Sequence, residues 1–277
     1  MKQTMLLIFF LSLLPQSVFG ETWHISMLPR YDADEISRRI TPLAAHLSQK
    51  LGVSVEPLLM SNFSEYTSRT KRGDVEIGFQ NPYVYTQVAD THEVVAMAVK
   101  GKNGDRFRGV IIVRNDTNID SLDDLKGKNV AIVGFSSAGG YLSQKLTLMR
   151  HGIDVDRDCR LSEAVENKHE NVLLSVFIGD VDAGFIRESA LSQAENFVPV
   201  SQIRIVNESA WLANWALSVK RSLPERQKNI IRKIITDLQE EDAVLKALKI
   251  KSFRSATDSE YDSIRVAAGM ERENLKK

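Results

Sequence analysis

One loop of this sequence has the composition of an anion-binding site. An apolar run, Asn129–Val133, leads through glycine and serine residues into a helix predicted over Ala138–Arg150. The loop carries Ser136, Ser137 and Gly139, which supply hydroxyl groups and unobstructed backbone N–H groups. The first N–H groups of a helix attract anions, because they lack intrahelical partners and lie at the positive end of the helix dipole. The serines could instead serve only as a helix cap.

Two enzyme loops look similar, and each requires residues that this loop lacks. A phosphate-binding NTPase loop needs Lys and then Ser or Thr after its second glycine, whereas Gly140 and Tyr141 stand there. A hydrolase nucleophile elbow, Gly-x-Ser-x-Gly, matches around Ser136 except that Ala138 replaces the last glycine. The His of that fold comes late in the chain, and the last His here is His169. We therefore predict a binding protein, with hydrolysis through Ser136 as an alternative.

The histidines and the single cysteine do not form a metal-binding pattern. His169 and Glu170 open a segment like a zinc-protease helix, but Leu173 stands where the second His is required. The five histidines have no ligand spacing, and one Cys cannot form a zinc cluster. We predict neither a metal site nor a cofactor. Taken alone, His169 is better explained as a surface residue or as a residue at the start of a helix.

Two further groups of polar residues follow predicted strands. Arg187 and Glu188 come after one apolar run, and Asn81 and Tyr83 come after another. Both groups are candidate ligand contacts, because α/β proteins bind ligands outside the carboxyl ends of their strands. Simpler interpretations stay open: a surface ion pair between Arg187 and Glu188, and a helix cap at Asn81.

Apolar periodicity predicts alternating strands and helices around these residues. Continuous apolar runs indicate strands, and apolar residues at three- and four-residue steps indicate helices. The predicted strands are Trp23–Leu28, Val53–Leu59, Val75–Phe79, Val94–Val99, Val110–Val113, Asn129–Val133, Val181–Phe185 and Ile203–Val206. The predicted helices are Ile36–Leu51, Ser61–Arg72, Asn81–Ala89, Ser121–Leu125, Ala138–Arg150, Asn167–Ile178, Ser189–Phe197, Pro224–Leu248 and Ser259–Gly269.

This alternation predicts an α/β fold with mainly parallel sheets covered on both faces. A polar, turn-rich segment, Gly101–Asp105, separates two such units, and Trp211–Val219 forms a second crossing between them. We predict two lobes, residues 21–106 plus 213–277 and residues 107–212. Two crossings between two lobes form a hinge, and a hinge allows a central cleft to close.

The N-terminal segment and the charge balance indicate where the protein works. Met5–Leu14 is an apolar run after Lys2, and Val18-Phe19-Gly20 resembles a cleavage site, so we predict a signal peptide over residues 1–20. The apolar run is too short to span a bilayer, and no Cys follows the site to carry a lipid. The 36 basic residues balance 36 acidic ones, which argues against nucleic-acid binding. We expect a periplasmic protein that is not a lipoprotein.

Several segments together resemble the phosphate-, phosphonate- and phosphite-type substrate-binding proteins of ABC transporters. They occur in order along nearly the whole mature chain: Gly73-Asp-Val-Glu-Ile77, Ser121-Leu-Asp-Asp-Leu-Lys-Gly127-Lys, Ser136-Ser-Ala-Gly139, His169 and Gly179-Asp-Val-Asp182-Ala. The resemblance implies a two-lobed, type II-like periplasmic-binding-protein fold, and a monomer. It also implies that Ser136, Ser137 and backbone N–H groups hold an oxyanion, and that His169 faces the cleft.

Three positions depart from the family pattern and remove hydroxyl donors. Ala138 replaces a Ser of the family's loop, and Phe63 and Phe107 align with positions that commonly carry ligand-contacting Tyr. Each charge-assisted hydrogen bond that is left unmade costs on the order of 1–3 kcal/mol. We therefore expect aromatic walls that include Tyr83, and a bidentate fork from Arg187 in place of the lost donors.

These patterns predict a periplasmic receptor that captures a small phosphonate- or phosphate-like anion by hinge closure for an ABC permease. The predicted ligand contacts are Ser136, Ser137, Gly139, His169, Arg187, Asn81, Tyr83, Phe63 and Phe107. A sensory receptor of the same fold, feeding a membrane signalling partner, is the alternative. The sequence does not separate the two, because a docking surface has no motif.

Overall fold

The structure is a computed structural model that describes residues 22–101, 104–195 and 198–270. This part of the chain folds into two β-sheets with helices packed against them. The signal peptide predicted for residues 1–20 lies outside the described residues. Within the described ranges, no helix has both the length and the apolar character that a membrane span requires.

The strands divide between a six-stranded and a five-stranded sheet. Their bounds are β1 Thr22–Met27, β2 Ser54–Pro57, β3 Ile77–Gln80, β4 His92–Val99, β5 Arg106–Arg114, β6 Asn129–Ile132, β7 Arg160–Glu163, β8 Ala183–Arg187, β9 Ile203–Ala213, β10 Ala216–Lys220 and β11 Ser252–Ser255. The first sheet has the order β11-β4-β10-β3-β1-β2, and the second has the order β7-β6-β8-β5-β9. The two α/β units predicted from periodicity therefore correspond to two separate sheets.

The helices connect the strands. Their bounds are α1 Ala33–Leu51, α2 Phe63–Arg72, α3 Pro82–Val88, α4 Ser143–Arg150, α5 Val155–Asp158, α6 His169–Ile178, α7 Glu188–Ala194, α8 Glu225–Thr236, α9 Ala243–Leu248 and α10 Asp262–Ala267. A π-helical turn, Ala138–Leu142, leads directly into α4. Short 3₁₀ turns occupy Asp123–Leu125, Val165–Asn167, Val200–Gln202 and Asp258–Tyr261.

Both sheets are mixed, whereas the sequence predicted mainly parallel ones. β1 is parallel to β2 and β3, and β6 is parallel to β7 and β8. β10 runs antiparallel to β3 and β4, and β5 runs antiparallel to β8 and β9. The chain passes from the first sheet into the second at β5, and it returns to the first sheet at β10. Periodicity does not reveal strand direction, because a strand buried on both faces has the same apolar pattern either way.

The continuous apolar run in β5 reflects burial on both faces of the second sheet. Ile111 and Val113 belong to one apolar cluster, whereas Val110 and Ile112 belong to another. Successive side chains of a strand point to opposite faces, so these two clusters cover opposite sides of the sheet. Because both faces of the sheet are covered, a ligand can approach it at the carboxyl ends of its parallel strands.

The single helix predicted over Pro224–Leu248 is wrong, because this segment forms α8 and α9. The linker between them contains Gln239 and Asp242, and the Asp242 carboxylate accepts a hydrogen bond from the Gln239 N–H at 2.8 Å. Such local side-chain bonds compete with the helical pattern.

Strands β7 and β11 were missed by the sequence prediction. Both lie at sheet edges, and their residues are mostly exposed or partly exposed. An edge strand of this kind has no apolar run for periodicity to detect. The short helix α5 was missed as well, since four residues are too few to show a period.

The last helix contacts elements that belong to both sheets. α10 packs against α3 and α4. Ile264 and Ala267 of this helix lie in an apolar cluster of the second sheet, although the preceding strand β11 belongs to the first. The C-terminal segment therefore helps to hold the two parts of the molecule together.

A chain of hydrogen bonds buried at the first sheet contains His92. The Tyr66 hydroxyl donates to Oε1 of Gln80 at 2.7 Å, and Nε2 of Gln80 donates to the Ser218 hydroxyl at 2.9 Å. His92 lies 3.0 Å from both the Ser218 hydroxyl and the Val75 carbonyl. A carbonyl can only accept, so Nε2 of His92 carries the proton. Burial lowers the pKa of His92 to about 4.

We expect acid pH to destabilise the fold through His92. The unfolded chain takes up this proton near the ordinary pKa of 6.5, whereas the folded protein does so only near 4. The contribution of neutral His92 to the free energy of unfolding is therefore complete above pH 6.5 and is lost as the pH falls towards 4. The loss amounts to at most about 3 kcal/mol. Urea unfolding at about pH 7.5 and about pH 4.5 measures this loss. Between these two pH values, His92→Gln should lose less free energy of unfolding than the wild type does. The exposed control His151→Gln should lose as much as the wild type. Equal losses in all three proteins would contradict the assignment.

Candidate functional site

A cleft of about 1180 Å³ is lined by residues from both sheets. One side comes from segments that follow β1 and β3, and the other from segments that follow β6 and β8 and from the start of α6. The lining residues are Pro29, Arg30, Tyr31, Phe63, Asn81, Pro82, Phe107, Val133, Gly134, Ser136, Ser137, Ala138, Gly139, Glu166, Asn167, Lys168, His169, Glu170, Asn171, Leu174, Arg187 and Trp215. The carboxyl ends of parallel strands thus form this cleft, as expected for an α/β protein.

The loop at residues 133–139 presents backbone donors to the cleft. The Ser137 hydroxyl accepts a hydrogen bond from the Gly140 N–H at 3.1 Å, so it caps the following helix. The capping role that the sequence left open is therefore real for this serine. Among the described residues, no acceptor is bonded to the N–H groups of Ser136, Ala138 or Gly139. These groups lie at the positive end of a helix and can bind an oxyanion.

Two glycines allow the close approaches that shape this loop. A Cβ atom at Gly140 would lie only 2.3 Å from Cγ2 of Val133, so the turn into the helix requires glycine there. A Cβ atom at Gly139 would lie 3.1 Å from Cβ of Arg187 and 3.3 Å from the ring of Phe107. Gly139 therefore lets the start of the helix pack directly against Arg187 and Phe107.

Gln144 ties the loop to two strands of the second sheet. This buried side chain places Nε2 at 3.1 Å from the carbonyl of Gly139, 3.1 Å from that of Val110 and 2.9 Å from that of Ile186. The loop, β5 and β8 are thereby held at fixed relative positions. Sequence analysis missed this residue, because a single Gln on a helix matches no motif.

His169 is a neutral hydrogen-bond donor at the wall of the cleft. Its Nδ1 accepts from the backbone N–H of Arg187 at 3.2 Å, so the ring proton is on Nε2. Burial, together with the charges of Arg30 and Arg187, lowers the pKa of His169 to about 3. The ring is therefore uncharged at neutral pH. No described residue accepts the Nε2 proton, which is available to an anion.

Arg187 brings a positive charge to the cleft wall. Its guanidinium carbon lies 4.1 Å from the centre of the Phe107 ring, a cation–π contact. Burial, with a smaller contribution from the charge of Arg30, lowers the pKa of Arg187 to about 10, so the group stays charged at neutral pH. Glu188 lies 2.8 Å from Arg108 and does not neutralise Arg187. The surface ion pair that the sequence left open is not formed.

The first sheet adds cations and aromatic rings that were not predicted. The Arg30 guanidinium lies 5.1 Å from the ring centre of Tyr31 and 5.7 Å from that of Trp215. Lys100 follows β4 and lines a small pocket together with Arg30, Tyr31 and Trp215. Desolvation and the charges of neighbouring arginines, Arg187 first among them, lower the pKa of Lys100 to about 8.

Eight of the nine predicted ligand contacts line the cleft, and one does not. The eight are Phe63, Asn81, Phe107, Ser136, Ser137, Gly139, His169 and Arg187. Tyr83 instead packs against the apolar clusters of both sheets. The Asn81 side chain accepts from the Val84 N–H at 2.8 Å, so it caps α3 while also bordering the cleft. Contact of these residues with a ligand stays a prediction.

The missed residues differ in the signal that could have found them. Arg30 and Tyr31 follow β1, and Lys100 follows β4, which runs in the same direction as β1 and β3. The same rule about strand ends would have found all three, had it been applied to every strand. Trp215 lies in the crossing from β9 to β10, and no local pattern marks it.

Two α/β units around a shared cleft define the two-lobed fold of the periplasmic binding proteins. A family model described as the periplasmic substrate-binding protein of phosphonate ABC transporters matches residues 25–261. The chain belongs to this family. It is thus a substrate-binding protein of the phosphonate-transporter type, a class that works in the periplasm, and the resemblance predicted from its motifs is confirmed.

Relatives of this chain include both import proteins and a sensor. The phosphate-import protein PhnD of Mycolicibacterium smegmatis is 23% identical over 286 residues, which cover 91% of this chain and 87% of that protein. The tetrathionate sensor histidine kinase TtrS of Salmonella typhimurium is 27% identical over 198 residues, 68% of this chain and 31% of the kinase. The chain therefore aligns with about a third of that relative's length.

A solved structure shows the same fold. PhnD1 from Prochlorococcus marinus, in complex with methylphosphonate, superposes with a TM-score of 0.70 at 16% identity, covering 90% of this chain and 97% of that one. An identity this low supports a common fold alone. The predicted fold class is confirmed.

Proposed function

We propose that this protein captures a small phosphonate- or phosphate-like oxyanion in its cleft and delivers it to an ABC permease. The observation that carries this proposal is the convergence on one cleft of the loop N–H groups, the Nε2–H of His169 and the guanidinium of Arg187. Hydrogen-bond donors beside an unneutralised cation favour an anionic ligand. Two carboxylates line the cleft: Glu166 pairs with Lys168, and Glu170 forms no ion pair with another described residue.

We infer that the cleft closes by relative rotation of two lobes, residues 21–106 plus 213–277 and residues 107–212. The two crossings, from β4 to β5 and from β9 to β10, support this division. A solute that contacts both lobes stabilises the closed form by its higher affinity for that form. Helix α10 packs near both lobes and would limit the rotation. We propose that the receptor acts as a monomer, since its cleft is formed within one chain.

A thermal-shift screen of residues 21–277 tests the proposed ligand class. The panel contains phosphate, phosphite, alkylphosphonates, sulfonates, carboxylates and neutral amino acids. A ligand at about 100 times its dissociation constant stabilises the fold by roughly 2.7 kcal/mol. For a protein of this size we expect a rise in melting temperature of about 5–10 °C with one class of oxyanion. A rise only with neutral compounds, or no rise with any anion, would overturn the proposal.

A sensory role is the second candidate, and it is favoured by the match to the sensor histidine kinase of Salmonella typhimurium. In that role the same closure would signal to a membrane partner. Tetrathionate, named for that relative, is a doubly charged sulfur oxyanion and belongs in the screen. Neighbouring genes separate the candidates: a permease and an ATPase support transport, and a sensor kinase supports signalling.

A further inference from the structure

A small pocket adjoins the cleft near the crossings between the sheets. Arg30, Tyr31, Arg187 and Trp215 line both the cleft and this pocket. Its volume of about 30 Å³ suits one small chemical group, since a single water molecule needs about half of that space. Its other lining residues are Met27, Arg39, Phe79, Ala98, Lys100, Asn214, Leu248 and Ile250.

The pocket gathers positive charge that the described part of the protein does not balance. Arg39 is paired with Glu35 at 2.7 Å. Within the described ranges, no carboxylate lies at ion-pair distance from Arg30, Lys100 or Arg187. Desolvation and mutual repulsion lower the pKa of Lys100 and of Arg187. Arg187 is half-buried, whereas Arg30 and Lys100 are exposed at the mouth of the pocket. Like charges that gather around a half-buried cation repel one another unless an anion neutralises them, so the pocket is suited to an anionic group.

This positive pocket and the loop N–H groups occupy different parts of the site. The base of the Arg187 side chain packs against Gly139 of the loop. Its guanidinium lies over the Phe107 ring. Arg187 also lines the pocket, which the loop residues 133–139 do not line. An anionic group bound in the pocket among Arg30, Lys100 and Arg187 would therefore have a lining different from that of a group bound at the loop, and the two ends of a short molecule can occupy the two places. Phe107, Tyr31 and Trp215 line the cleft, and Tyr31 and Trp215 also line the pocket, so these aromatic rings suit an apolar spacer between the two ends.

We propose that the natural solute carries two anionic groups, one bound by the loop at residues 136–139 and the other held between Arg30, Lys100 and Arg187. Phosphonocarboxylates and alkane disulfonates on a short carbon chain have this chemistry. The inference rests on the proposed function, which itself requires only one anionic group at the loop.

Paired ligands that differ in one end test this inference by calorimetry. The pairs are propylphosphonate with 3-phosphonopropionate, and propanesulfonate with 1,3-propanedisulfonate. We expect the two-ended member of at least one pair to bind at least about tenfold more tightly, because its second charge gains charge-assisted hydrogen bonds. Equal affinity within both pairs would overturn the inference and leave the proposed function standing. Binding of neither member of either pair would overturn the inference, whereas the proposed function falls only if the thermal-shift screen also finds no anion that binds.

Substitutions in the pocket show where the second charge binds. Arg30→Gln and Arg187→Gln should each raise the dissociation constant of the two-ended ligand much more than that of its one-ended partner. The fold increase should be at least about ten times larger for the two-ended ligand. Arg226→Gln, at an exposed arginine outside the cleft, should change neither affinity. Equal losses for both ligands would show that the arginines and the loop bind the same group, and would overturn the inference. Arg30 is exposed, so its variant should fold even if the Arg187 variant does not.

Discussion

Replacing Ser136 and Ser137 together by alanine should weaken anion binding by more than tenfold. Both residues line the cleft at the start of the helix, where the proposed oxyanion would meet the loop N–H groups. A hydrogen bond to a charged group contributes about 1.5–3 kcal/mol, so the loss of even one exceeds a tenfold change in affinity. Calorimetry with the anion identified by the screen measures the effect.

The single substitutions separate binding from helix capping. Ser137→Ala should also lower the free energy of unfolding by about 1 kcal/mol, because the Gly140 N–H loses the hydroxyl that caps it. Ser136→Ala should lower affinity with little change in stability. A matched control removes Ser68 and Ser192, whose hydroxyls donate only to carbonyls of their own helices. An unchanged dissociation constant in the Ser136 and Ser137 double variant would exclude this loop from the site.

Replacing Gln144 by methionine should destabilise the protein by about 2–4 kcal/mol and also weaken anion binding. Methionine has nearly the same size but cannot donate, so the carbonyls of Gly139, Val110 and Ile186 lose their shared donor. An unsatisfied buried polar group costs about 1–3 kcal/mol. The melting temperature should fall by at least about 5 °C. Affinity should fall because Gly139 is no longer held at its place beside Arg187.

Gln227→Met is the control for this substitution. Gln227 lies on α8, away from the cleft, and its side chain forms no hydrogen bond to another described residue. This variant should keep the stability and the affinity of the wild type. If Gln144→Met also melted at the wild-type temperature, Gln144 would not be the residue that holds the loop in place.

Most of the segments that identify the family build turns and not the cleft. Ser121 donates to the Asp124 carboxylate at 2.8 Å, and Gly127 has a positive φ of 75°. Gly179 ends α6 with a φ of 81°, and the Asp182 carboxylate accepts from the Asn129 N–H at 2.8 Å. Local geometry dictates these residues, which is why they are recognisable in a single sequence. The loop that ends at Gly139, and His169, both identify the family and line the cleft.

The sequence predicted helices and strands well where a buried stripe or run made the pattern strong. Helix α1 ends at Leu51 with Gly52 as its C-terminal cap, as predicted, and α3 begins with Pro82 after its Asn81 cap. The edge strands β7 and β11 were missed, because their mostly exposed or partly exposed residues carry no apolar signal. β8 ends at Arg187, two residues later than predicted, so this arginine is the last residue of the strand itself.

The sequence by itself determined the fold class, the family and eight of the residues that line the cleft. It could do so because strand-end positions, helix starts and turn glycines depend on neighbours along the chain. Only the tertiary structure decided the direction of β5 and β10, the tautomer of His169 and the place of Gln144. It alone brought Arg30, Lys100 and Arg187 together at one pocket. These features depend on contacts between segments that are far apart in the chain, and no local pattern records which distant charges will meet.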